Sequence, residues 1–387
     1  MIEIQTLNKI SPLGTNLFDR EKYNISDAPN APDAVLVRSA NMLDSELKPN
    51  LLAIARAGAG VNNIPIQKCS EQGVVVFNTP GANANAVKEI VVAGLLLSSR
   101  KISDGINWAK SLKGKGDEVG KLVEKGKGNF GGTEIKGKTL GLIGLGAIGA
   151  LVANIAVSLG MRVVGTDPFL SVSAALKLKP EVKVLKTPDE VYKEADYISL
   201  HLPFNAETKG IINKDVIAKM RDGVKLLNFA RGELVNDADL IEALKSGKVS
   251  VYVTDFPNDN TLGVDNIVAI PHLGASSEES EDNCAVMASQ QLIDYLESGN
   301  ITNSVNLPNV ELITEYTKIC IIHKNIPSII SAITNVFGTE KINVENMVDK
   351  SKKDYAYAIF DVNGEITEKV ISEISDIEGI IKIRVIK

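Results

Sequence analysis

The stretch Thr139-Leu-Gly-Leu-Ile-Gly-Leu-Gly-Ala-Ile-Gly149 constrains the fold of this chain more than any other. Thr139 to Ile143 is a short apolar run of the kind that forms a strand buried on both faces. Gly144, Gly146 and Gly149 follow as G-x-G-x-x-G, and Ala150 to Gly160 continues with helical spacing. A second apolar run, Met161 to Gly165, ends at Asp167, 21 residues after Gly146. Gly144 permits the tight turn from strand to helix, Gly146 lets the backbone approach a pyrophosphate, and Gly149 lets helix pack close on strand. The helix N-terminus, with Ala147 and Ile148 in its first turn, offers free N–H groups to the anion. Asp167 can accept hydrogen bonds from an adenosine ribose, which favours NAD over NADP because a 2′-phosphate would face a like charge. An isolated G-x-G-x-x-G also fits an ordinary glycine-rich turn. The strand–turn–helix–strand–Asp setting is what makes this one a dinucleotide site.

With 387 residues there is chain enough for two or three domains, each with a sizeable core. A hydrophobic content of 44% and a charged content of 23% are ordinary for a globular protein. The net charge of −6 gives no support to nucleic-acid or anionic-membrane binding. The N-terminus, Met1-Ile-Glu-Ile-Gln, lacks the basic region and long apolar core of a signal peptide, and the apolar run Ile90 to Leu97 is too short to cross a bilayer. Cys69, Cys284 and Cys320 are scattered, odd in number and without C-x-x-C spacing, so the reading is of reduced thiols in a cytoplasmic protein. His201, His272 and His323 are far apart in sequence, which argues against a His-rich metal site.

Residues 1 to about 95 alternate apolar runs (Ala34–Val37, Leu51–Ala55, Val74–Phe77) with helical stretches, the last a long helix from about Ala86 to Ser99. That alternation predicts a parallel sheet. The turns after these strands hold Arg38-Ser-Ala-Asn41, Gly58-Ala-Gly-Val-Asn-Asn63 and Asn78 to Asn83. Ligands of open α/β sheets bind beyond the carboxyl ends of strands. An arginine fork and glycine-rich backbone there suit an anionic substrate, although a surface salt bridge would explain Arg38 equally well. Lys110 to Gly132, rich in glycine and lysine, reads as an exposed helix end and loop. Further βα units follow the glycine motif, ending in Pro203, in Arg231-Gly232, in Asp255 and in Pro271-His272. Arginine, acid and histidine are therefore expected on the sheet edge where the glycine turn places NAD. Residues 276 to 298 form a long helix with an acidic start, and Asn300 to about Tyr316 reads as a linker. The last seventy residues follow the order βαββαβ, the ferredoxin-like plan.

Oxidising a hydroxyl-bearing carbon with NAD requires a base for the hydroxyl proton and a cation to orient the substrate. His272, with the imidazole pKa near about 6.5, suits proton exchange near neutrality, and Arg231 can grip a carboxylate and polarise the adjacent carbonyl in the reverse direction. A nearby carboxylate would fix the ring tautomer of His272.

Four separated segments carry a resemblance: Gly141 to Gly149 with Asp167, His201-Leu-Pro203, Asn228-Phe-Ala-Arg-Gly232 and Pro271-His-Leu-Gly-Ala-Ser276. Their order and spacing resemble the NAD-dependent D-2-hydroxyacid dehydrogenases over residues 1 to about 305. The resemblance implies an α/β protein with two Rossmann-like, doubly wound parallel-sheet domains. Residues 1–95 with 276–305 would be the substrate-binding domain and residues 96–275 the NAD-binding domain. Arg231 would bind the 2-oxo acid and His272 would be the acid/base. The Ala59-Gly-Val61 backbone would receive the carboxylate, while Leu202, Pro203, Ala230 and Gly274 would line the cofactor. Arg38-Ser39 and the Gly60-Val-Asn-Asn63 turn resemble the branch of the family acting on 3-phosphoglycerate, with Arg38 on the 3-phosphate.

The chain departs from the family pattern in two places. Where relatives have D-V-F-x-x-E-P, this chain has Val253-Thr-Asp-Phe-Pro-Asn-Asp259. Alignment on Phe256 puts Asp259 in the place of the glutamate that supports the histidine, and leaves Asp255 to contact the nicotinamide amide. Ala147 stands where many relatives have Arg, a change of little consequence if the backbone binds the phosphates. The tail, residues 316–387, resembles the ACT domain, a small amino-acid-binding regulatory module. His323, Asn325 and Asn343 match the positions that bind serine between paired domains in such relatives, and Ser328 replaces the usual turn glycine. The resemblance thus implies a homodimer or homotetramer with serine as a possible effector.

Overall fold

The chain forms two compact units, Met1–Asn83 with Glu278–Lys387, and Ala84–Ser277. The computed structural model describes residues 1–314 and 316–387, with the backbone alone of Ser173. The first unit opens with a five-stranded parallel sheet: β1 (Ile2–Leu7), β2 (Tyr23–Ser26), β3 (Ala34–Val37), β4 (Ala53–Arg56) and β5 (Val75–Phe77). Its order is β2-β1-β3-β4-β5, and it reverses between β1 and β3, where a doubly wound sheet opens its ligand crevice. β3 is buried along its whole length, hence its unbroken apolar sequence. β1 and β2 are not among the apolar runs read from the sequence. β2 is a polar edge strand, and in β1 only Ile4 is fully buried. Helix Glu278–Ser298 packs on this sheet through Cys284, Ala288, Leu292 and Tyr295.

The second unit holds seven parallel strands: β6 (Thr139–Ile143), β7 (Arg162–Thr166), β8 (Lys183–Val184), β9 (Tyr197–Leu200), β10 (Val224–Asn228), β11 (Val249–Thr254) and β12 (Ile267–Ala269). The order is β12-β11-β10-β9-β6-β7-β8, so the reversal falls between β6 and β9. Helix Ala84–Ser99 belongs to this unit, buried through Val87, Val91 and Leu95 against Leu142 and Leu227, and the boundary read at residue 95 falls inside it. Gly94 makes the approach possible, since a Cβ there would lie 2.8 Å from the Phe229 ring. The glycine- and lysine-rich stretch after it is helical, not a loop, with helices Ile102–Ser111 and Val119–Gly126. Trp108 stacks 5.2 Å from Phe130 and lies over Gly126, where a Cβ would meet the indole at 2.4 Å. Gly126 thus marks a close approach, whereas Gly114 (φ +90°) and Gly116 (φ +53°) face open space at the turn between the two helices.

The tail belongs to the first unit. β13 (Thr317–Lys324), β14 (Asn343–Lys352), β15 (Tyr355–Asn363) and β16 (Ile380–Ile386) form an antiparallel sheet in the order β14-β15-β13-β16, with helices Ile329–Thr339 and Glu368–Ser375 between strands. Strand alternation buries both faces. Ile319, Ile321, Ala358 and Phe360 face the two helices, while Cys320, Ile322, Tyr357 and Ile359 join the core of the first sheet. Five cations of this sheet donate to backbone carbonyls elsewhere in the unit. Lys318 reaches Ser298 O and Leu312 O, Lys350 reaches Asn309 O, and Lys352 reaches Ser304 O. Lys382 reaches Leu51 O, and Arg384 reaches Tyr295 O and Leu296 O. Of the linker expected over residues 300–316, Glu315 lies outside the described residues. The part before it is packed: Ile301, Leu307 and Val310 are buried, and the Asn306 amide bonds Val76 N, Val74 O and Ser70. Its polar composition reflects bonds to backbone, not solvation. No helix among the described residues is long and apolar enough to cross a membrane.

Candidate active site

In the second unit, the glycine turn sits at the reversal point. Gly144 has φ +98°, and a Cβ there would lie 2.4 Å from His201 O at the end of β9. A Cβ on Gly149 would lie 2.1 Å from Gly144 O, so the helix can close on the strand only with glycine there. Gly146 differs, because a Cβ there would meet nothing within 4 Å. It is the N-cap of helix Ala147–Ser158, which has no side-chain cap, so the N–H groups of the first turn are left for an anion. Asp167, just beyond β7, accepts from Leu145 N–H at 2.9 Å and from Phe169 N–H at 2.9 Å. Each carboxylate oxygen keeps a second lone pair for a ribose hydroxyl. Open backbone, bare helix terminus and acid fit the pyrophosphate and ribose of NAD. Leu202 and Ala230, at the ends of β9 and β10, lie partly buried against the sheet core, and Pro203 is exposed. His201 has its Nε2 3.0 Å from Ser199 Oγ, and burial pushes its pKa down to about 4. It is a neutral structural histidine.

Arg231 is presented by a turn that Asn228 builds. The fully buried Asn228 amide donates to Arg231 O at 2.8 Å and accepts from Ala230 N–H at 3.1 Å. Thr254 donates to Asn228 O at 3.0 Å and accepts from Phe256 N–H at 3.1 Å, tying the end of β11 to the same turn. Phe256 is the shared neighbour of the two charged candidates. Its ring lies 6.0 Å from the Arg231 guanidinium carbon and 4.8 Å from the His272 ring. His272 is exposed, with a backbone φ of +48° that non-glycine residues rarely adopt. Its N–H is shared between Asp255 O at 3.0 Å and Ile270 O at 2.9 Å.

The two acids read from the sequence have different surroundings. Asp259 is exposed and has no hydrogen bond or ion pair among the described residues. Asn258 closes the loop by accepting from Asn260 N–H at 3.0 Å and Thr261 N–H at 3.2 Å, which leaves Asp259 at its tip. The expected support of His272 by Asp259 is therefore not seen. Asp255 is 1% exposed, and its Oδ2 accepts from Gly274 N–H at 3.0 Å. A Cβ on Gly274 would lie 2.8 Å from that oxygen, so a side chain there would displace the carboxylate. Burial pushes the Asp255 carboxyl above its ordinary range, opposed by the Gly274 N–H and the charges of His272 and Arg231.

In the first unit, Arg38 follows β3 and pairs with Glu281 of helix Glu278–Ser298 at 2.7 Å. Arg56, not singled out from the sequence, and Asn63 of the glycine turn hold the Arg38 carbonyl at 2.9 and 3.4 Å. Arg56 also donates to Gly60 O, Asn78 to Ala59 O at 2.6 Å, and Ile64 N–H to Val61 O at 3.1 Å, so the carbonyls of that turn are all engaged. Ser39 is exposed, its N–H bonded to Asn8 Oδ1 at 3.0 Å. In the tail, His323 is 1% exposed, with Nδ1 2.8 Å from Lys324 O and Nε2 3.1 Å from Asp349 Oδ1. Asn325 donates to Lys353 O and Asn343 to Glu345. His323 pairs with Ala356 and Asn343 with Asn363, at opposite ends of β15. At about 3.4 Å per residue, roughly 24 Å separates them within one chain.

Comparison with known proteins identifies the family. Residues 92–274 match the D-isomer specific 2-hydroxyacid dehydrogenase NAD-binding domain. The chain is 36% identical to the D-3-phosphoglycerate dehydrogenase of Archaeoglobus fulgidus over 72% of its own length and 52% of the relative's. It thus spans about half the length of the curated phosphoglycerate dehydrogenases it matches. It is 38% identical to the hydroxypyruvate reductase of Thermotoga maritima over 68% of its own length and 85% of the relative's. Among solved structures, the NAD+-bound 3-phosphoglycerate dehydrogenase of Entamoeba histolytica superposes with a TM-score of 0.62 at 26% identity, covering 79% of this chain and 98% of that one. The chain therefore belongs to the D-isomer-specific 2-hydroxyacid dehydrogenase family and carries its NAD-binding domain.

Proposed function

We propose that this protein oxidises D-3-phosphoglycerate to 3-phosphohydroxypyruvate with NAD, the first step towards L-serine. The arrangement that carries the reading is the Arg231–Phe256–His272 cluster at the carboxyl edge of a sheet whose glycine turn fits NAD. Hydride acceptance is the chemistry NAD supplies when bound. Gly144, Gly146, Gly149 and Asp167 hold it, with Ala147, Ile148, Leu202, Pro203 and Ala230 beside it. Arg231 holds the 2-hydroxy carboxylate end and polarises the carbonyl in the reverse direction. His272, exposed and free to exchange protons, takes the hydroxyl proton at its ring nitrogen in oxidation and returns it in reduction. To the first unit the reading assigns the substrate's anionic ends: Ala59, Gly60 and Val61 by backbone, Arg38 by its guanidinium with Ser39 adjacent.

One observation favours a second reading. Arg38 is already paired with Glu281 at 2.7 Å, so a phosphate reaching it meets a carboxylate. That, with the hydroxypyruvate reductase likeness, supports an unphosphorylated 2-oxo acid as substrate. NADH consumption with phosphohydroxypyruvate and with hydroxypyruvate decides between them. On the first reading, Arg38→Ala lowers kcat/KM for the phosphorylated acid by ten-fold or more and leaves the other within about two-fold. Equal effects on both would refute the phosphate assignment.

The tail is proposed as an ACT-like module of ferredoxin-like topology, on the strength of its βαββαβ order and antiparallel sheet. On this reading a serine effector is bound by His323 and Asn325 of one copy and Asn343 of another, in a homodimer or homotetramer. The separation of His323 from Asn343 along β15 supports the need for a second copy. Serine would have to displace Asp349 from the His323 ring.

A further inference from the structure

We propose that Asp255, not Asp259, is the residue that positions the acid/base His272. The inference rests on the role given to His272 above, and the argument is geometric. Asp255 holds the turn after β12 at two points: its carbonyl accepts His272 N–H at 3.0 Å, and its Oδ2 accepts Gly274 N–H at 3.0 Å. Between those points His272 keeps a φ of +48°, a conformation costing a β-carbon residue about 1–2 kcal/mol and sustained only where surrounding bonds over-determine it. The clasp at 255 supplies those bonds. Gly274 fits the same account, because any side chain there would push the carboxylate away.

The second oxygen extends the argument from backbone to ring. Asp255 Oδ1 is fully buried and has no hydrogen-bond partner among the described residues. Such an acceptor is expensive to leave unpaired, so it is poised for a donor that arrives with the working state of the site. The charged or titratable groups that act on Asp255 or are acted on by it are His272, Arg231 and Tyr252. Arg231 Nη1 is engaged with Ala230 O, and the Tyr252 hydroxyl bonds Asn228. The His272 ring, carried on the turn that Asp255 clasps and making no hydrogen bond among the described residues, is the donor assigned to Oδ1. A buried carboxylate beside it favours the imidazolium that forms when the hydroxyl proton is taken up. Asp259, exposed at a loop tip, has neither the burial nor the contact to do this.

The test reads the histidine directly. The chain has three histidines, so His272 is assignable by NMR through its loss in His272→Gln. In the 387-residue chain, Asp255→Asn should lower the His272 titration midpoint by about one pH unit and move the acid limb of kcat/KM for phosphohydroxypyruvate reduction the same way. NADH affinity should stay within a few-fold, and Asp259→Asn should leave midpoint and profile unchanged. If Asp255→Asn does not fold, Gly274→Ala serves, since it displaces the same carboxylate and should shift the midpoint in the same direction. A shift in Asp259→Asn, or none in either Asp255→Asn or Gly274→Ala, overturns the proposal. Absence of turnover in the unmodified protein would refute the reaction assigned above, while the titration would still decide whether Asp255 positions His272.

Discussion

Arg384→Met tests whether the tail is a fixed part of the first unit or a module merely tethered to it. Arg384 lies on β16, and its guanidinium donates to Tyr295 O at 3.2 Å and Leu296 O at 3.0 Å while stacking 4.6 Å from the Tyr295 ring. Both carbonyls belong to the last turn of helix Glu278–Ser298, which has no basic residue of its own. The helix dipole and its orphan acceptors are therefore met by a cation from another element. Removing that cation leaves Leu296 O unpaired at about 1–3 kcal/mol, since Tyr295 O keeps the Gly299 N–H at 3.0 Å, and forfeits roughly 0.5–2 kcal/mol of cation–π attraction. Methionine refills the stem volume, and a charge no longer has to be desolvated, which offsets part of the loss. The net expectation is a destabilisation of about 2 kcal/mol, within the range for breaking a buried hydrogen-bond network. For a unit of this size that corresponds to a fall in Tm of about 4–8 °C. Scanning calorimetry of the full chain should show it, with the transition of the first unit moving as one. Lys369→Met, which removes an exposed pair with Glu340, should leave Tm unchanged. A shift below about 2 °C in Arg384→Met would refute the reasoning. So would a separate early transition of residues 317–387 that leaves the first sheet's melting untouched.

Two other outcomes follow from local chemistry. Ser328, the N-cap of helix Ile329–Thr339, has φ +67° and makes no capping bond, so Ser328→Gly should stabilise the first unit by about 0.5–1 kcal/mol in urea unfolding. Loss of stability on that change would mean that the hydroxyl does something its geometry does not show. His201 titrates at about 4 in the folded protein against 6.5 unfolded. Below pH 6.5 the unfolded chain therefore takes up a proton that the folded chain refuses until about pH 4. The contribution is fully present above pH 6.5 and is lost as pH falls through that window, on the order of 2–3 kcal/mol in all. Urea midpoints at pH 7.5 and pH 5 should differ less in His201→Gln than in the unmodified protein. Equal pH dependence in the two would refute burial as the cause.

The glycine turn was legible because its constraints act on backbone. Gly144 and Gly149 each face an atom that leaves no room for Cβ, and Asp167 bonds the turn it was read with. Placing helix Ala84–Ser99 was beyond sequence reading because an apolar helix shows that it will be buried, not which sheet will bury it. The choice of acid for His272 is ambiguous in the sequence for a similar reason. Alignment on Phe256 fixes identity but not register relative to the shortened loop, and successive strand positions point to opposite sides. Thr254 bonds Asn228, whereas Asp255 reaches Gly274. Asn228 and Phe256 carried a faint signal as members of matched motifs, but their task is to shape the turn and wall of the site, which only the fold displays.

The tail shows most clearly where pattern reading stops. In Ile380-Ile-Lys-Ile-Arg-Val-Ile386 charge alternates with apolar residues, the usual signature of a strand with one face in solvent. Here the charged face is the docked one. Lys382 and Arg384 spend their donors on the carbonyls of Leu51, Tyr295 and Leu296, and Lys318 does the same at Ser298. Backbone carbonyls carry no mark in a sequence, so a surface built to receive cations at a helix end and a strand entrance cannot be read from residue types. The same contacts bear on regulation. A module held by five cations and a shared apolar core does not swing on the segment before it. The tail also touches helix Glu278–Ser298, whose first turn holds Glu281 against Arg38 and whose last turn meets Arg384.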